Sequence, residues 1–193
     1  AVLTLALGGC TPSNGDPDLD AARLAGSLTE LFQKALETSN LSKAEREVLE
    51  RAISNGRIEQ GDYEAAHLRT AQCMIQHGFA PTYRKTSAGL YVELPYSAVA
   101  DQEAFDLASV TCSQDSAFVE SLYRVQQANP HLLADQRLVA VRCLGKGGFV
   151  DATYTVEEFD ADYASGAFPF PVDDPGPNDC LYGAGYAYFT LAG

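Results

Sequence analysis

Gln72-Cys73-Met74-Ile75-Gln76-His77-Gly78-Phe79 and Arg142-Cys143-Leu144-Gly145-Lys146-Gly147-Gly148-Phe149 both read C-x4-G-F. In each stretch the cysteine ends an amphipathic pattern, glycine stands where a helix C′ residue belongs, and phenylalanine follows. That is a helix stop. Glycine takes the left-handed conformation at little cost, and the apolar residue after it folds back onto the helix. A second cysteine follows the first by 39 residues in one stretch (Cys112) and by 37 in the other (Cys180). Four cysteines allow three pairings. The matched spacing favours two related units, each closed by its own bridge, Cys73–Cys112 and Cys143–Cys180. Closing a loop of this length stabilises by about 3–4 kcal/mol on the chain-entropy model.

The fifth cysteine has a different setting. Cys10 ends Leu7-Gly8-Gly9-Cys10, behind the apolar run Ala1–Leu7, and Thr11-Pro12-Ser13-Asn14-Gly15-Asp16-Pro17 follows without apolar periodicity. Small residues before a cysteine, behind a short apolar stretch, resemble a bacterial lipobox, in which the cysteine is acylated. The run is too short for a transmembrane helix, which needs about 20 apolar residues, and it fits the core of a signal peptide. The initiating Met and a basic n-region are missing, so a truncated start is expected. Residues 1–9 are read as a signal-peptide remnant and 10–18 as a flexible tether. The remaining cysteines are even in number, as an oxidising compartment favours. Zinc is the competing use. No C-x2-C pair is present, and His77, four residues after Cys73, is the nearest histidine, so no metal site and no cofactor are expected.

The chain carries a net charge of −13, which repels phosphate backbones and disfavours nucleic-acid binding. Anionic headgroups are repelled too, so membrane contact is expected through the lipid anchor alone. Hydrophobic residues make up 46%, enough for a folded core. Lys146 is the last basic residue. Beyond it come Asp151, Glu157, Glu158, Asp160, Asp162, Asp173, Asp174 and Asp179, an acidic third that reads as a solvated face or as a surface for cationic partners.

The fold expected is α+β and predominantly helical. It has a helical lead-in over 19–60, a first disulfide unit over 61–128 and a second over 129–193. Leu24, Leu28, Leu31, Phe32 and Leu36 predict a helix over 19–36. Ser42 and Glu45 have capping-box spacing for the next helix, to about Ser54. A third begins near Gly61. Leu90, Val92 and Leu94 alternate with Tyr91 and Glu93 after Ser87-Ala88-Gly89, which predicts a small hairpin. Asp101 to about Gln127 is helical with a break near Ser113. Asn129-Pro130 is a turn, Asp135 caps the helix ending at Gly147-Gly148, and Thr155 caps a short one. Phe168 to Pro177 reads as an irregular, extended loop.

Few motifs name a chemistry. Asn55-Gly56-Arg57-Ile58 sits between helices like the centre of a calcium loop, but that register puts Arg51 first and Ile53 third, where oxygens are needed. A helix–loop–helix without metal is expected. His67, His77 and His131 show no zincin spacing and read as packing or surface. No G-x-S-x-G elbow occurs. The aromatic set Tyr154, Phe159, Tyr163, Phe168, Phe170, Tyr182, Tyr186, Tyr188 and Phe189 reads as core and disulfide packing. Its sharper reading is a binding patch of Tyr182 and Tyr186, four apart on one helical face, beside Asp173 and Asp174.

Arg46-Glu47-Val48-Leu49, Asp62-Tyr63-Glu64-Ala65-Ala66, Cys73-Met74 with Gly78-Phe79, and the closing Asp179-Cys180-Leu181-Tyr182-Gly183-Ala184-Gly185-Tyr186 resemble an uncharacterised class of actinobacterial secreted lipoproteins with paired C-x4-G-F disulfide units. The resemblance implies export, lipid anchoring and disulfides. It carries no established activity, so no catalytic residue transfers; its members are encoded near envelope transporters. The expectation is a non-enzymatic, lipid-anchored protein on the extracytoplasmic face, binding a ligand, an envelope protein or a peptide, in the manner of a transporter accessory. An immunity or protective lipoprotein against cationic peptides and an envelope hydrolase with an unrecognised site are the alternatives. Converging carboxylates and a histidine in a cleft would favour the hydrolase; a broad aromatic and acidic patch would favour binding.

Overall fold

The computed structural model describes residues 21–96 and 98–187. Cys10, the signal-peptide remnant, the tether, Tyr188 and Phe189 lie outside the described residues. Among the described residues, eight helices and one hairpin follow in chain order: α1 (Leu28–Thr38), α2 (Lys43–Asn55), α3 (Gln60–Gln76), β1 (Tyr83–Lys85), β2 (Tyr91–Glu93), α4 (Gln102–Ser113), α5 (Ala117–Ala128), α6 (Gln136–Gly147), α7 (Val156–Ser165) and α8 (Pro175–Ala184). The fold is thus predominantly helical with one small antiparallel hairpin, in which Arg84 faces Val92.

Two helices start elsewhere than the sequence pattern predicts. α1 begins at Leu28, although apolar spacing extends back to Leu24. Residues 22–24 are held instead by the turn that precedes α6: Leu24 N donates to Leu132 O at 2.7 Å, and Ala134 N donates to Ala22 O at 2.8 Å. Gly26 weakens helix propagation, and Ser27 then caps α1 by accepting from Glu30 N. The lead-in is therefore stitched to the second unit. The second correction concerns the proline-rich stretch. Pro175 and Pro177 open α8 rather than extending a loop, because proline lacks only an N–H that the first turn leaves unpaired. Asp174 caps that helix, accepting from Gly176 N at 2.9 Å.

Both bridges form as the repeat predicts, Cys73–Cys112 between α3 and α4 and Cys143–Cys180 between α6 and α8, with Cα atoms 5.5 and 5.4 Å apart. The glycine stops have matching geometry. Gly78 and Gly148 adopt φ of +90° and +71°. Phe79 N donates to Met74 O at 2.9 Å and Phe149 N to Leu144 O at 3.0 Å, closing each helix in the same register. A third copy appears at the end of α8. Cys180-x4-Gly185-Tyr186 repeats the pattern, with Gly185 at φ +99° and Tyr186 N donating to Leu181 O at 3.0 Å.

The apolar residues sort into two large cores. The first joins α1, α2, α3, the hairpin and α5 around Phe32, Leu49, Ile58, Tyr63, Leu90 and Val119. The second joins α6, α7 and α8 around Leu144, Phe159, Phe170 and Leu181. A smaller cluster of Met74, Ala108 and Cys112 surrounds the first bridge. α5 and α8 approach closely where the cores meet: a Cβ at Gly183 would stand 2.7 Å from that of Ala128. No helix of the described residues is long and apolar enough to cross a membrane. The two bridges belong to an oxidising compartment, where such bonds form and persist.

Candidate functional site

Helical spacing brings one set of polar side chains to a common face. On α3, Tyr63, His67 and Thr70 follow at intervals of four and three; on α5 and its N-cap, Ser116, Glu120 and Arg124 follow at intervals of four. Tyr63 and Thr70 of the first face and all three residues of the second, with Leu90 of the hairpin loop and Tyr182 of α8, border a cavity of about 250 Å³.

The walls are held firmly. Tyr91 N donates to the Tyr63 hydroxyl at 2.7 Å, and the Tyr182 hydroxyl donates to Tyr91 O at 2.9 Å. Two phenols from two helices thus grip the N–H and the C=O of one hairpin residue. Burial pushes both phenols above the usual tyrosine range, partly offset at Tyr63 by the bond from Tyr91 and at Tyr182 by the charge of Arg124. Both remain neutral hydrogen-bonding groups at neutral pH. Tyr63 stacks on Tyr123 with centroids 4.2 Å apart. His67, 5% exposed, lies flat on Tyr91 at 4.3 Å and edge-on to Tyr83 at 4.2 Å.

The charges in the cavity are separately placed. The hydroxyls of Thr70 and Ser116 lie 2.5 Å apart, and that of Thr70 donates to Glu120 Oε1 at 3.4 Å. Glu120 Oε2 is 3.7 Å from His67 Nδ1, the one basic group within ion-pair distance of it among the described residues. Arg124, one turn further along α5, lies over the Tyr182 ring at 5.8 Å. Among the described residues it pairs with no carboxylate. Neither ring nitrogen of His67 makes a hydrogen bond, so no hydroxyl is in contact with the histidine as a nucleophile is with its base.

The proposed patch residues do not come together as expected. α8 ends at Ala184 and Gly185 turns the chain, so Tyr182 and Tyr186 do not continue along one helix face. Tyr182 packs on the first core. Tyr186 packs on the second, 5.1 Å from Phe159 and 4.8 Å from Tyr163. Asp173 and Asp174 are both exposed, and Asp174 caps α8. Tyr154, Phe159, Phe168 and Phe170 serve the second core, the packing role that the aromatic set suggests. The acidic third also meets cations from earlier in the chain. Asp160 pairs with Arg137 at 3.1 Å, and Asp179 pairs with Arg84 while accepting from Ser87 N at 3.1 Å. Asp162 accepts from the Tyr154 hydroxyl at 2.7 Å.

Two other clusters have structural explanations. Arg51 and Asp62, the first and last positions of the calcium-loop register, pair with each other at 2.6 Å. Cys73 Sγ, Cys112 Sγ and a ring nitrogen of His77 lie within 4.8 Å of one another. The sulfurs are bonded together, so neither offers the thiolate that a metal requires.

The cavity was missed in the sequence, although its signal is present. Ser116, Glu120 and Arg124 recur every four residues, but an acid and a base at that spacing ordinarily read as a surface ion pair. No family model, no curated protein and no solved structure matches this chain.

Proposed function

We propose that the chain is an extracytoplasmic protein held to the cell membrane by a lipid on Cys10, and that it binds a small ligand in the cavity between α3 and α5. The observation that carries the binding role is Arg124, a cation without a carboxylate partner among the described residues, placed at a cavity whose walls are fixed by two tyrosine bonds to Tyr91. Preformed pockets with a few placed polar groups are the usual form of small-ligand sites. The lipobox reading of Leu7-Gly8-Gly9-Cys10 supports the anchor, and the two bridges support an exported location. A transporter accessory of the kind implied by the actinobacterial resemblance fits both.

The hydrolase alternative has one observation in its favour, the His67–Glu120 pair beside the hydroxyls of Thr70 and Ser116. The stacked, unbonded histidine favours binding over nucleophilic chemistry. Two experiments test the proposal. Detergent phase partitioning should retain the full chain in the detergent phase and release Cys10→Ala to the aqueous phase; equal retention would remove the anchor. Amide chemical shifts of Ser121 and Arg124, followed while metabolite fractions are titrated in, should move if the cavity binds. Unmoved shifts across all fractions would remove the binding role.

A further inference from the structure

We infer that the cavity selects a small zwitterion, a free α-amino acid whose carboxylate meets Arg124 and whose ammonium meets Glu120. This rests on the reading of the cavity as a binding site. The two charges stand one helical turn apart on α5 and both border the same space. The structure does not pair them with each other: Glu120 faces His67 and the Thr70 hydroxyl, and Arg124 faces the Tyr182 ring. A simple anion drawn to Arg124 would meet the carboxylate of Glu120, and a simple cation drawn to Glu120 would meet the guanidinium. A molecule carrying both charges on groups attached to one carbon satisfies both residues and is repelled by neither.

Size narrows the class. At about 250 Å³ the space falls below the roughly 300–1,000 Å³ of pockets for drug-sized ligands. It suits one amino acid rather than a longer peptide. Leu90 and Tyr63 supply an apolar wall for a side chain, and the Thr70, Ser116 and Ser121 hydroxyl oxygens supply additional acceptors beside Glu120. Guanidinium and carboxylate match in planar, two-bond geometry, whereas the ammonium needs only acceptors. The geometry therefore requires both unmodified ends of the ligand. A quaternary amine such as glycine betaine, lacking N–H groups, would keep the Arg124 contact and lose the hydrogen bonds to Glu120.

Calorimetric titration of the full chain decides the matter, using glycine, L-leucine and L-glutamate beside N-acetyl-L-leucine, L-leucinamide, glycine betaine, inorganic phosphate and spermidine. At least one free amino acid should bind. N-acetyl-L-leucine and L-leucinamide should each bind at least about tenfold more weakly than L-leucine, the loss expected when one charge-assisted contact goes. In Arg124→Gln the gap between L-leucine and L-leucinamide should close while the gap to N-acetyl-L-leucine stays; in Glu120→Gln the reverse should hold. Unchanged thermal unfolding of both variants confirms that folding is not the cause. If the variants unfold early, Arg124→Lys and Glu120→Asp replace them and should narrow the same gaps. Binding of phosphate or spermidine with no amino acid binding would overturn the zwitterion while leaving the cavity a binding site. If no compound binds, the zwitterion fails, and the metabolite titration above then decides the cavity separately.

Discussion

The two disulfide units end their first helices in the same way and then use the stop differently. In the first, Phe79 packs on the cluster of Met74, Ala108 and Cys112 and meets the Phe105 ring of α4 edge-on at 5.2 Å, while His77 stays exposed. In the second, Phe149 folds back over its helix. A Cβ at Gly147 would come within 2.3 Å of the Phe149 ring, and one at Gly176 of α8 within 2.6 Å of it. That ring lies between two glycines and closes α6 onto α8. The second unit then fills its core with Phe159, Phe168, Phe170 and Tyr186. The first packs α3 on α4 and α5 and leaves polar residues of α3 and α5 beside a cavity. One staple and one stop thus serve a unit filled with aromatic rings and one that borders a polar cavity. What separates them is the neighbour of the residue after the glycine, α4 for Phe79 and α8 for Phe149.

The bridges give the largest expected effect. Loop lengths of 39 and 37 residues make the entropic contributions nearly equal, about 3–4 kcal/mol each. Packing separates them. Cys180 and Cys112 are equally buried, but Cys180 belongs to the large second core beside Leu144 and Leu181, whereas Cys112 sits in a small cluster with Met74 and Ala108. In urea denaturation, Cys143→Ala/Cys180→Ala should therefore lose about 1 kcal/mol more than Cys73→Ala/Cys112→Ala, the added cost of disturbing a filled core. Equal losses would mean that the two units are held alike, contrary to the packing difference.

Local chemistry made much of this fold legible. The capping boxes at Ser42/Glu45 and Thr155/Glu158 both form, because the residues that decide them are three apart. The glycine stops and the hairpin at Leu90–Leu94 were likewise readable from short spans. Long-range partners were not. Leu24 looked helical because nothing near it announces that its amide bonds to Leu132. Tyr182 reads as a patch residue in the sequence because its partner, Tyr91, is 91 residues away. The acidic third looked unpaired because Arg84 and Arg137 lie outside it. Glu45 shows the same division within one side chain. Its Oε2 accepts from Ser42 N at 3.1 Å, as the sequence predicts, while Oε1 accepts from Phe118 N at 2.9 Å in the first turn of α5.

That second bond sharpens the comparison between units. α5, at the cavity, gets no side-chain cap from its own Ser116 and takes one from the fully buried Glu45. α6, in the second unit, is capped by its own Asp135, which accepts from Arg137 N at 2.9 Å. Glu45→Gln should lower stability by about 2–3 kcal/mol, since charge-assisted bonds to two amides weaken in a buried place. Asp135→Ala should cost about 1 kcal/mol, the ordinary value of a cap. Chemical denaturation measures both. A Glu45 effect no larger than that of Asp135 would show that the distant cap contributes no more than a local one.

The smallest effects test the shared stop itself. Gly78 and Gly148 are left-handed, and a Cβ at either would find nothing within 4 Å. Alanine there meets backbone strain and no neighbour, so Gly78→Ala and Gly148→Ala should each cost about 1 kcal/mol and match within error. The preceding position should divide the units. Gly147→Ala pushes a Cβ into the Phe149 ring and adds overpacking of about 1–2 kcal/mol, whereas His77→Ala trims an exposed side chain and should change stability by less than about 0.5 kcal/mol. Thermal or urea unfolding of the four variants gives the pattern. If Gly147→Ala is as mild as His77→Ala, the Phe149 ring can leave Gly147 freely. The second unit would then be no more tightly closed by its stop than the first.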